Sequence, residues 1–412
     1  MLSDVPEGWV SLPFKAVLKR SKKSINANQL KSIGTVAHYS LPAFDAGKQP
    51  VIESGSEIKS GKTLIPSNCL LFSKLNPRIP RVWRVLHKSE HPPVCSTEFW
   101  AFEPVDRSVD LDFVASYLGW QSFLNAPEIK PASSTNSHQR INGAAFDNYL
   151  LNLPPLTEQK RIAEVLSSVD KSIQATQRLI EQAERVKQGL MEELLTGGLG
   201  NEAIERGEVP EGWTIKQLSE LAAVKGGKRM PKGAKFSETP TEYPYIRVVD
   251  FENGTISTEN LRFVSEEHQK QIARYTISQD DLYISIAGTL GLVGLVPASL
   301  NGAQLTENAA KIVLNDRAVI KKEYLALFLQ SSLGQNQIFV KKGVGGGVPK
   351  LALFRIGEIL VAYPSAEKQV NIISKVSSLS DTRKSNEVKL KQLEKLKKGL
   401  MDDLLTGKVR TV

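Results

Sequence analysis

The segment LPPLTEQKRIAEVLSSVDKSIQATQRLIEQAERVKQGLMEELLTG, Leu153 to Gly197, returns 210 positions later without a gap. The shift lays Pro154 on Pro364, Gln159 on Gln369 and Ser167-Ser168 on Ser377-Ser378. It also lays Gly189-Leu190-Met191 on Gly399-Leu400-Met401, and Leu194 to Gly197 on Leu404 to Gly407. A match of that length at one offset marks a duplicated unit.

The segment reads as one long helix. Ile162, Leu166, Val169, Ile173, Ile180, Ala183, Leu190 and Leu194 step by threes and fours as a coiled-coil seam does, while charged and amide residues fill the other faces. Thr157 is the expected N-cap and Gly197-Gly198 the stop. About forty residues at 1.5 Å each make a rod of roughly 60 Å. In the copy, Ile372, Val376, Leu379, Leu390, Leu393, Leu400 and Leu404 keep the phase, but Arg383 and Asn386 stand where Ile173 and Thr176 do. Neither helix can bury its stripe alone, so the two are expected to pair, antiparallel. Leu190→Glu or Leu400→Glu is expected to disrupt the pair or its partners.

The opening Val5-Pro-Glu-Gly-Trp9 returns as Val209 to Trp213, at an offset of 204. The chain therefore divides into a first globular unit (1–153), a long helix (154–197), a polar joint (198–208), a second globular unit (209–363) and a second long helix (364–407). Within the units, strands are expected over 68–76, 81–86 and 97–102, with counterparts over 281–288, 291–296 and 307–312. Helices are expected over 111–124 and 322–333. A small-residue loop follows in each, Ser133 to Ser137 and Gly343 to Gly347, and then a strand leading into the long helix. The class is α+β, repeated.

The 412 residues carry a net charge of +9, which favours a polyanionic partner. Two cysteines, Cys69 and Cys95, supply no disulfide framework and fit a reducing compartment. No signal-peptide pattern opens the chain, and no apolar run approaches the ~18 residues that a membrane span needs, so a cytoplasmic protein with no membrane contact is expected.

Positive charge gathers at matching places. In the first unit it is Lys22, Lys23, Lys74, Arg78, Arg81 and Arg84, interleaved with Trp83. In the second it is Lys225, Lys228, Arg229, Lys232 and Lys235, with Arg247, Lys341 and Lys342 beyond. The small-residue loops are each followed by a cation at the same offset, Arg140 and Lys350. Such loops can bring backbone N–H groups to a phosphate with a cation beside it; an ordinary hairpin turn with a surface charge reads equally well.

Three apparent motifs fail on spacing. Gly55 to Thr63 resembles a phosphate loop, but five residues separate its glycines and Pro66 cuts the helix that should follow. His87, His91 and Cys95 have helical metal spacing, but Pro92-Pro93 forbids the helix, leaving no expected metal site. Gly288 to Gly294 lies between two strands, where a bent strand pair explains it. No motif for holding a flipped adenine and no nuclease cluster is evident, so no catalytic centre is expected.

Pro154-Pro-Leu-Thr-Glu-Gln-Lys-Arg-Ile162, the helix ending Gly189-Leu-Met-x-x-Leu-Leu-Thr-Gly197, and the two Pro-Glu-Gly-Trp openings together resemble the specificity subunit of type I restriction–modification systems. Tyr245 to Val248, Asp280-Asp281-Leu282 and Gly288 to Gly291 look like elements of its recognition domains. The loosened Ala366-Glu-Lys-Gln369 start of the second helix departs from the pattern. The resemblance implies two target recognition domains, each reading one half of a split site on double-stranded DNA, with the helices as a coiled-coil spacer. It also implies two modification subunits that bring S-adenosylmethionine and flip adenines, and restriction subunits that use ATP and Mg. No cofactor is implied for this chain itself. Asn136, His138, Gln139 and Arg140 in the first domain, and Arg229, Arg247 and Lys350 in the second, are the side chains expected at base edges. The competing readings are a repeat adaptor that binds proteins through its domains and coiled coil, and a methyltransferase or nuclease acting alone.

Overall fold

A computed structural model describes residues 5–130, 139–198, 200–340 and 350–411. The chain forms two compact units, Met1–Gln177 with Val388–Val412, and Arg178–Glu387, so each unit owns a stretch of both long helices.

In the first unit, four antiparallel strands pair in the order Leu18–Arg20, Phe99–Pro104, Asn68–Ser73, Val82–Leu86. A second sheet has five strands, Ser24–Ile25, Lys62–Leu64, Pro93–Ser96, Thr35–Tyr39 and Val51–Ser54, with one parallel pairing of Ala37 to Pro93. The strands Val10–Pro13 and Leu150–Leu153 then pair and lead into the first long helix. Alternation places Leu70 and Phe72 on one face of the four-stranded sheet, where they meet Phe14, Phe102, Phe123 and Phe146. Phe14 and Phe146 stack with centroids 4.6 Å apart. Ile162 and Leu166 of the first long helix, with Leu404 at the end of the second and Leu405 just past it, close the same core.

The second unit repeats this plan. Its antiparallel sheet runs Ala222–Gly226, Ala309–Leu314, Leu282–Ser285, Val293–Leu295. A smaller sheet again contains one parallel pairing, Tyr245 to Gln304. Trp213–Gln217 and Leu360–Pro364 form the pair that enters the second long helix. Leu282, Ile284, Ile312, Tyr324 and Phe328 bury against Met191 and Leu195 of one helix and Ile372 and Val376 of the other.

The long helices span Leu156–Thr196 and Ala366–Leu404. In each unit, residues late in one meet residues early in the other, which is antiparallel pairing. In the first unit Lys397 bonds Asp170 at 2.6 Å; in the second the polar seam residue Arg383 bonds Glu184 at 2.7 Å and Glu387 at 3.2 Å. Ile162, Leu166, Ile372, Val376 and Leu404 are buried, and Val169, Ile173, Ile180, Leu190, Leu194, Leu379, Leu390, Leu393 and Leu400 are half-buried. Leu190 packs on the second core and Leu400 on the first, so a glutamate at either place is expected to destabilise its own unit, read as a lower denaturant midpoint.

Each helix is gripped near its start by a buried glutamine. Gln159 Nε2 donates to Ser108 O at 2.9 Å and to Pro154 O at 2.8 Å, while its Oε1 accepts from Asp110 N at 2.8 Å. Gln369 repeats this, donating to Val319 O at 3.0 Å and Pro364 O at 2.9 Å and accepting from Lys321 N at 2.9 Å. The ends also match. Gly197 and Gly407 hold φ of 60° and 72°, and a Cβ on either would lie 2.4 Å from Cγ of Pro210 or Pro6. The Val-Pro-Glu-Gly-Trp openings thus recur because each presents a proline to a helix-ending glycine.

One place breaks the repeat. Glu158, whose counterpart 210 positions on is Lys368, is buried and accepts from Trp9 Nε1 at 3.0 Å and from both sides of the Arg410 fork at 2.8 Å. The Arg410 guanidinium, aided by Thr411 N–H and Trp9 against the opposing effect of burial, holds the Glu158 carboxyl below its ordinary 4.5. A carboxylate depressed in the folded state adds stability that is complete above about pH 4.5 and lost as pH falls through the folded value. Glu158→Gln is therefore expected to flatten the fall of the first unit's stability between about pH 5 and pH 3, measured by denaturant midpoints across that range.

Several elements differ from expectation. The first long helix starts at Leu156, and Thr157 lies inside it: the Pro155 carbonyl accepts from Glu158 N at 2.9 Å and Gln159 N at 3.0 Å, so no hydroxyl cap is needed. The helix expected over 111–124 breaks at Gly119 into Leu111–Leu118 and Gln121–Leu124. That over 322–333 breaks at Ser331 into Lys322–Gln330 and Ser332–Val340, where the Ser331 hydroxyl bonds back to Phe328 O at 2.6 Å. A short helix, Gly143–Asn148 or Leu353–Gly357, precedes the strand before each long helix. Of the failed motifs, Gly55 sits where a Cβ would lie 2.1 Å from Leu30 O, a packing glycine, and Gly288 and Gly291 turn the chain between two antiparallel strands.

Candidate nucleic-acid interface

In each unit the basic residues gather at the start of the strand that is central to the four-stranded sheet. In the first unit that strand is Phe99–Pro104. Lys74 N donates to Glu98 O at 3.0 Å, and Lys74 O accepts from Ile141 N at 2.9 Å. Leu75 forms a bridge with Arg140, and Asn76 N donates to Gln139 O at 2.8 Å. Asn76 takes φ of 50° and starts the turn that exposes Arg78, with Ile79 N returning to Asn76 O at 2.9 Å. These bonds bring together Lys74, Arg78, Gln139 and Arg140 from segments far apart in sequence.

The second unit builds the counterpart around Leu305 to Ala309. Ala287 bridges Lys350 as Leu75 bridges Arg140. Gly227 N donates to Ala309 O at 2.9 Å and Lys228 N to Leu305 O at 2.8 Å, which delivers Arg229. Thr306 N donates to Ile246 O at 3.1 Å, which places Arg247 on the same stretch. The close approach of Gly227 is obligatory, because a Cβ there would lie 2.0 Å from Thr306 O.

The expected side chains divide by what holds them. Lys22 and Lys23 are exposed where the chain passes from one sheet to the other, with Lys23 O accepting from Leu64 N at 2.8 Å. Arg81 forms a two-point bond with Asp45 at 2.8 and 2.9 Å, and that hydrogen bond holds the Asp45 carboxyl below its usual range. Arg247 is tied to buried Asp250 at 2.7 and 3.1 Å and to Asn260 O at 2.9 Å, so its fork stays within its own turn. Gln139 is buried. Lys228 is exposed, its carbonyl bonded by Tyr245 Oη at 2.8 Å and its ammonium 5.5 Å from the Tyr275 ring. Lys350 is exposed at its bridge. Asn136, His138 and Lys342 lie outside the described residues.

Arg140 and Arg229 are exposed, and each is paired. Arg140 Nε and Nη2 meet Glu98 at 3.0 and 2.8 Å, and Arg229 Nε meets Glu307 at 2.6 Å. Burial works to raise the Glu307 carboxyl, but hydrogen bonds from Arg229, its own N–H and Thr306 outweigh it and keep the group below its usual range. Neither glutamate stood out in the sequence, although the Thr-Glu dipeptide Thr97-Glu98 recurs as Thr306-Glu307. Among the described residues, no three His, Cys, Asp or Glu side chains are grouped to hold a metal ion. Among them also, no helix is long and apolar enough to cross a membrane.

Each repeat thus carries one basic surface, and residues 6–185 and 210–395 each match the type I restriction modification DNA specificity domain. The chain belongs to that family. Membership supports recognition of DNA sequence as its activity. The specificity-family chain is 26% identical over 302 residues to the type I restriction enzyme MjaVIII specificity subunit of Methanocaldococcus jannaschii, covering 71% of this chain and 70% of that one. It is 24% identical over 404 residues to the EcoKI specificity subunit of Escherichia coli K12, covering 91% and 82%. Its fold is that of a chain from a structure of complex assembly in the type I R-M system, with TM-score 0.64, 16% identity and 99% and 100% coverage. The S subunit of a type I system from M. genitalium is similar, with TM-score 0.56, 16% identity and 98% and 97% coverage.

Proposed function

We propose that this chain reads a split, asymmetric site on double-stranded DNA, one half per globular unit, and performs no chemistry itself. The observation that carries the reading is the repeated gathering of basic residues at Lys74 to Arg140 and at Lys228 to Lys350, delivered by equivalent bridges at Arg140 and Lys350. Exposed lysines supply affinity through phosphates, which falls with salt, while arginine forks and amides read base edges. The paired long helices act as the spacer that leaves the middle of the site unread. Two modification subunits dock along them in the cytoplasm, carry S-adenosylmethionine and flip one adenine per half-site. Restriction subunits, where present, bring ATP and Mg.

Single-molecule methylation mapping of DNA from cells expressing this chain with its modification subunit tests the reading. A split adenine-methylated motif that disappears when this chain is deleted is the expected result. A stable complex without any motif would instead mark a regulatory member. Neither motif nor complex would favour a protein-binding adaptor.

A further inference from the structure

Among the described residues, each unit carries at its candidate DNA surface an acid–arginine pair whose arginine stands exposed, and the pairs are not inherited copies of each other. Glu98 and Glu307 both precede the central strand, Phe99–Pro104 or Ala309–Leu314. Their arginines arrive from different segments. Arg140 follows the small-residue loop, where the second unit has Lys350 at the 210 offset. Arg229 follows the first strand of its sheet, where the first unit has Ile25 at the 204 offset. Duplication alone would have preserved the same arginine. What recurs is a fork beside a carboxylate at one place on the surface.

The exposures separate these pairs from ordinary structural ones. Arg140 and Arg229 side chains are 48% and 78% exposed, whereas Glu98 and Glu307 are 23% and 28% exposed. The acid is set into the surface and the guanidinium stands out from it. Arg20 and Arg81 are the reverse case, at 26% and 14% exposure beside acids at 40% and 51%, with Arg20 also lying over the Trp100 ring at 4.2 Å. Arg247 sits above a buried acid but is itself only 27% exposed, its fork spent on Asp250 and Asn260 O. Resting on the reading of the chain as a DNA-sequence reader, we propose that Glu98 and Glu307 are specificity-determining positioning residues. Each holds its arginine as a fixed fork that reads a guanine, so each half-site contains an obligatory guanine.

The chemistry follows from donor geometry. A guanidinium presents five N–H groups in one plane. Glu98 occupies Nε and one terminal nitrogen of Arg140, leaving the remaining N–H groups directed away from it. Guanine presents two acceptors, O6 and N7, on its major-groove edge, and arginine matches both. A fork already held in place loses less side-chain freedom on binding. The carboxylate contributes a second effect, since it repels phosphate oxygens and so discourages the arginine from settling on the backbone instead of a base.

Methylation mapping with the modification subunit present tests this, using Arg140→Ala, Glu98→Gln, Arg229→Ala and Glu307→Gln. Arg140→Ala is expected to lower cognate methylation about ten- to a hundredfold and to make one guanine position in one half-site degenerate. Glu98→Gln is expected to retain cognate methylation while admitting other bases at that same position. Arg229→Ala and Glu307→Gln should act likewise on the other half-site only. The untouched half-site reports that each variant is folded and assembled. A motif identical to wild type in the variants, a half-site lacking guanine, or an equal fall at all sites without altered sequence would overturn the inference while leaving the DNA-reading function standing. Absence of any split motif in the wild type would overturn both.

Discussion

Replacement of Gln159 by methionine is expected to lower the unfolding midpoint of the first unit by about 4–12 °C, and Gln369→Met to do the same for the second. Methionine matches glutamine in length but can neither donate nor accept these bonds. Each substitution leaves two carbonyls and one N–H without their glutamine partner: Ser108 O, Pro154 O and Asp110 N in one case, Val319 O, Pro364 O and Lys321 N in the other, of which the bonds to Pro154 O and Pro364 O are fully buried and the rest part-buried. An unsatisfied buried backbone group costs about 1–3 kcal/mol and a part-buried one that water can reach costs less, so one of the first and two of the second cost on the order of 2–3 kcal/mol. For units of this size about 2–4 °C is lost per kcal/mol. Calorimetry checks the result, and a shift below about 3 °C in either variant would mean that the glutamine contributes little beyond the apolar packing around it.

Gly227→Ala is expected to cost the second unit about 3 kcal/mol and to abolish reading by Arg229. The added Cβ would lie 2.0 Å from Thr306 O and 2.4 Å from Leu305 O, both main-chain atoms that cannot swing aside. To make room, the bonds Gly227 N to Ala309 O and Lys228 N to Leu305 O must open, and these deliver Arg229 to Glu307. The neighbouring Gly226→Ala is the control, since its Cβ would meet only Leu353 Cδ1 at 3.5 Å, an ordinary contact. Denaturant midpoints and methylation of the second half-site should both separate the two variants. Equal behaviour would show that the strand end can shift without consequence.

The long helices were legible because their signal is local and repeated: a seam of threes and fours written twice at one offset. Even there, two seam contributions were hidden by polarity. Thr176 is buried, its hydroxyl bonded to Ser172 O at 2.8 Å, and Arg383 turns a gap in the apolar stripe into an ion pair with Glu184. The four-stranded sheets were mostly visible, since Cys69 to Phe72 and Leu282 to Ile284 are apolar runs bounded by turns. The smaller sheets were not. Strands of two residues such as Ser24–Ile25 and Thr276–Ile277 carry no period, and the parallel pairing of Ala37 with Pro93 joins residues whose neighbours in sequence say nothing of each other. At the interface, arginines and lysines could be found by charge, but what restrains each one could not. Arg247 is held by a buried aspartate and Gln139 is itself buried, whereas Arg229 is exposed. Glu98 and Glu307 meet their arginines across 42 and 78 positions, a pairing that no local spacing in the sequence announces.

Gln159 and Gln369 hold only main-chain atoms. The joint between a globular unit and its helix is therefore indifferent to which side chains that unit displays elsewhere. A unit of foreign sequence that offers two carbonyls and one N–H in the same places, and an apolar face for Ile162 and Leu166 or for Ile372 and Val376, would seat in the same way. Recombination near either glutamine would then exchange one globular unit for another without rebuilding the start of the long helix.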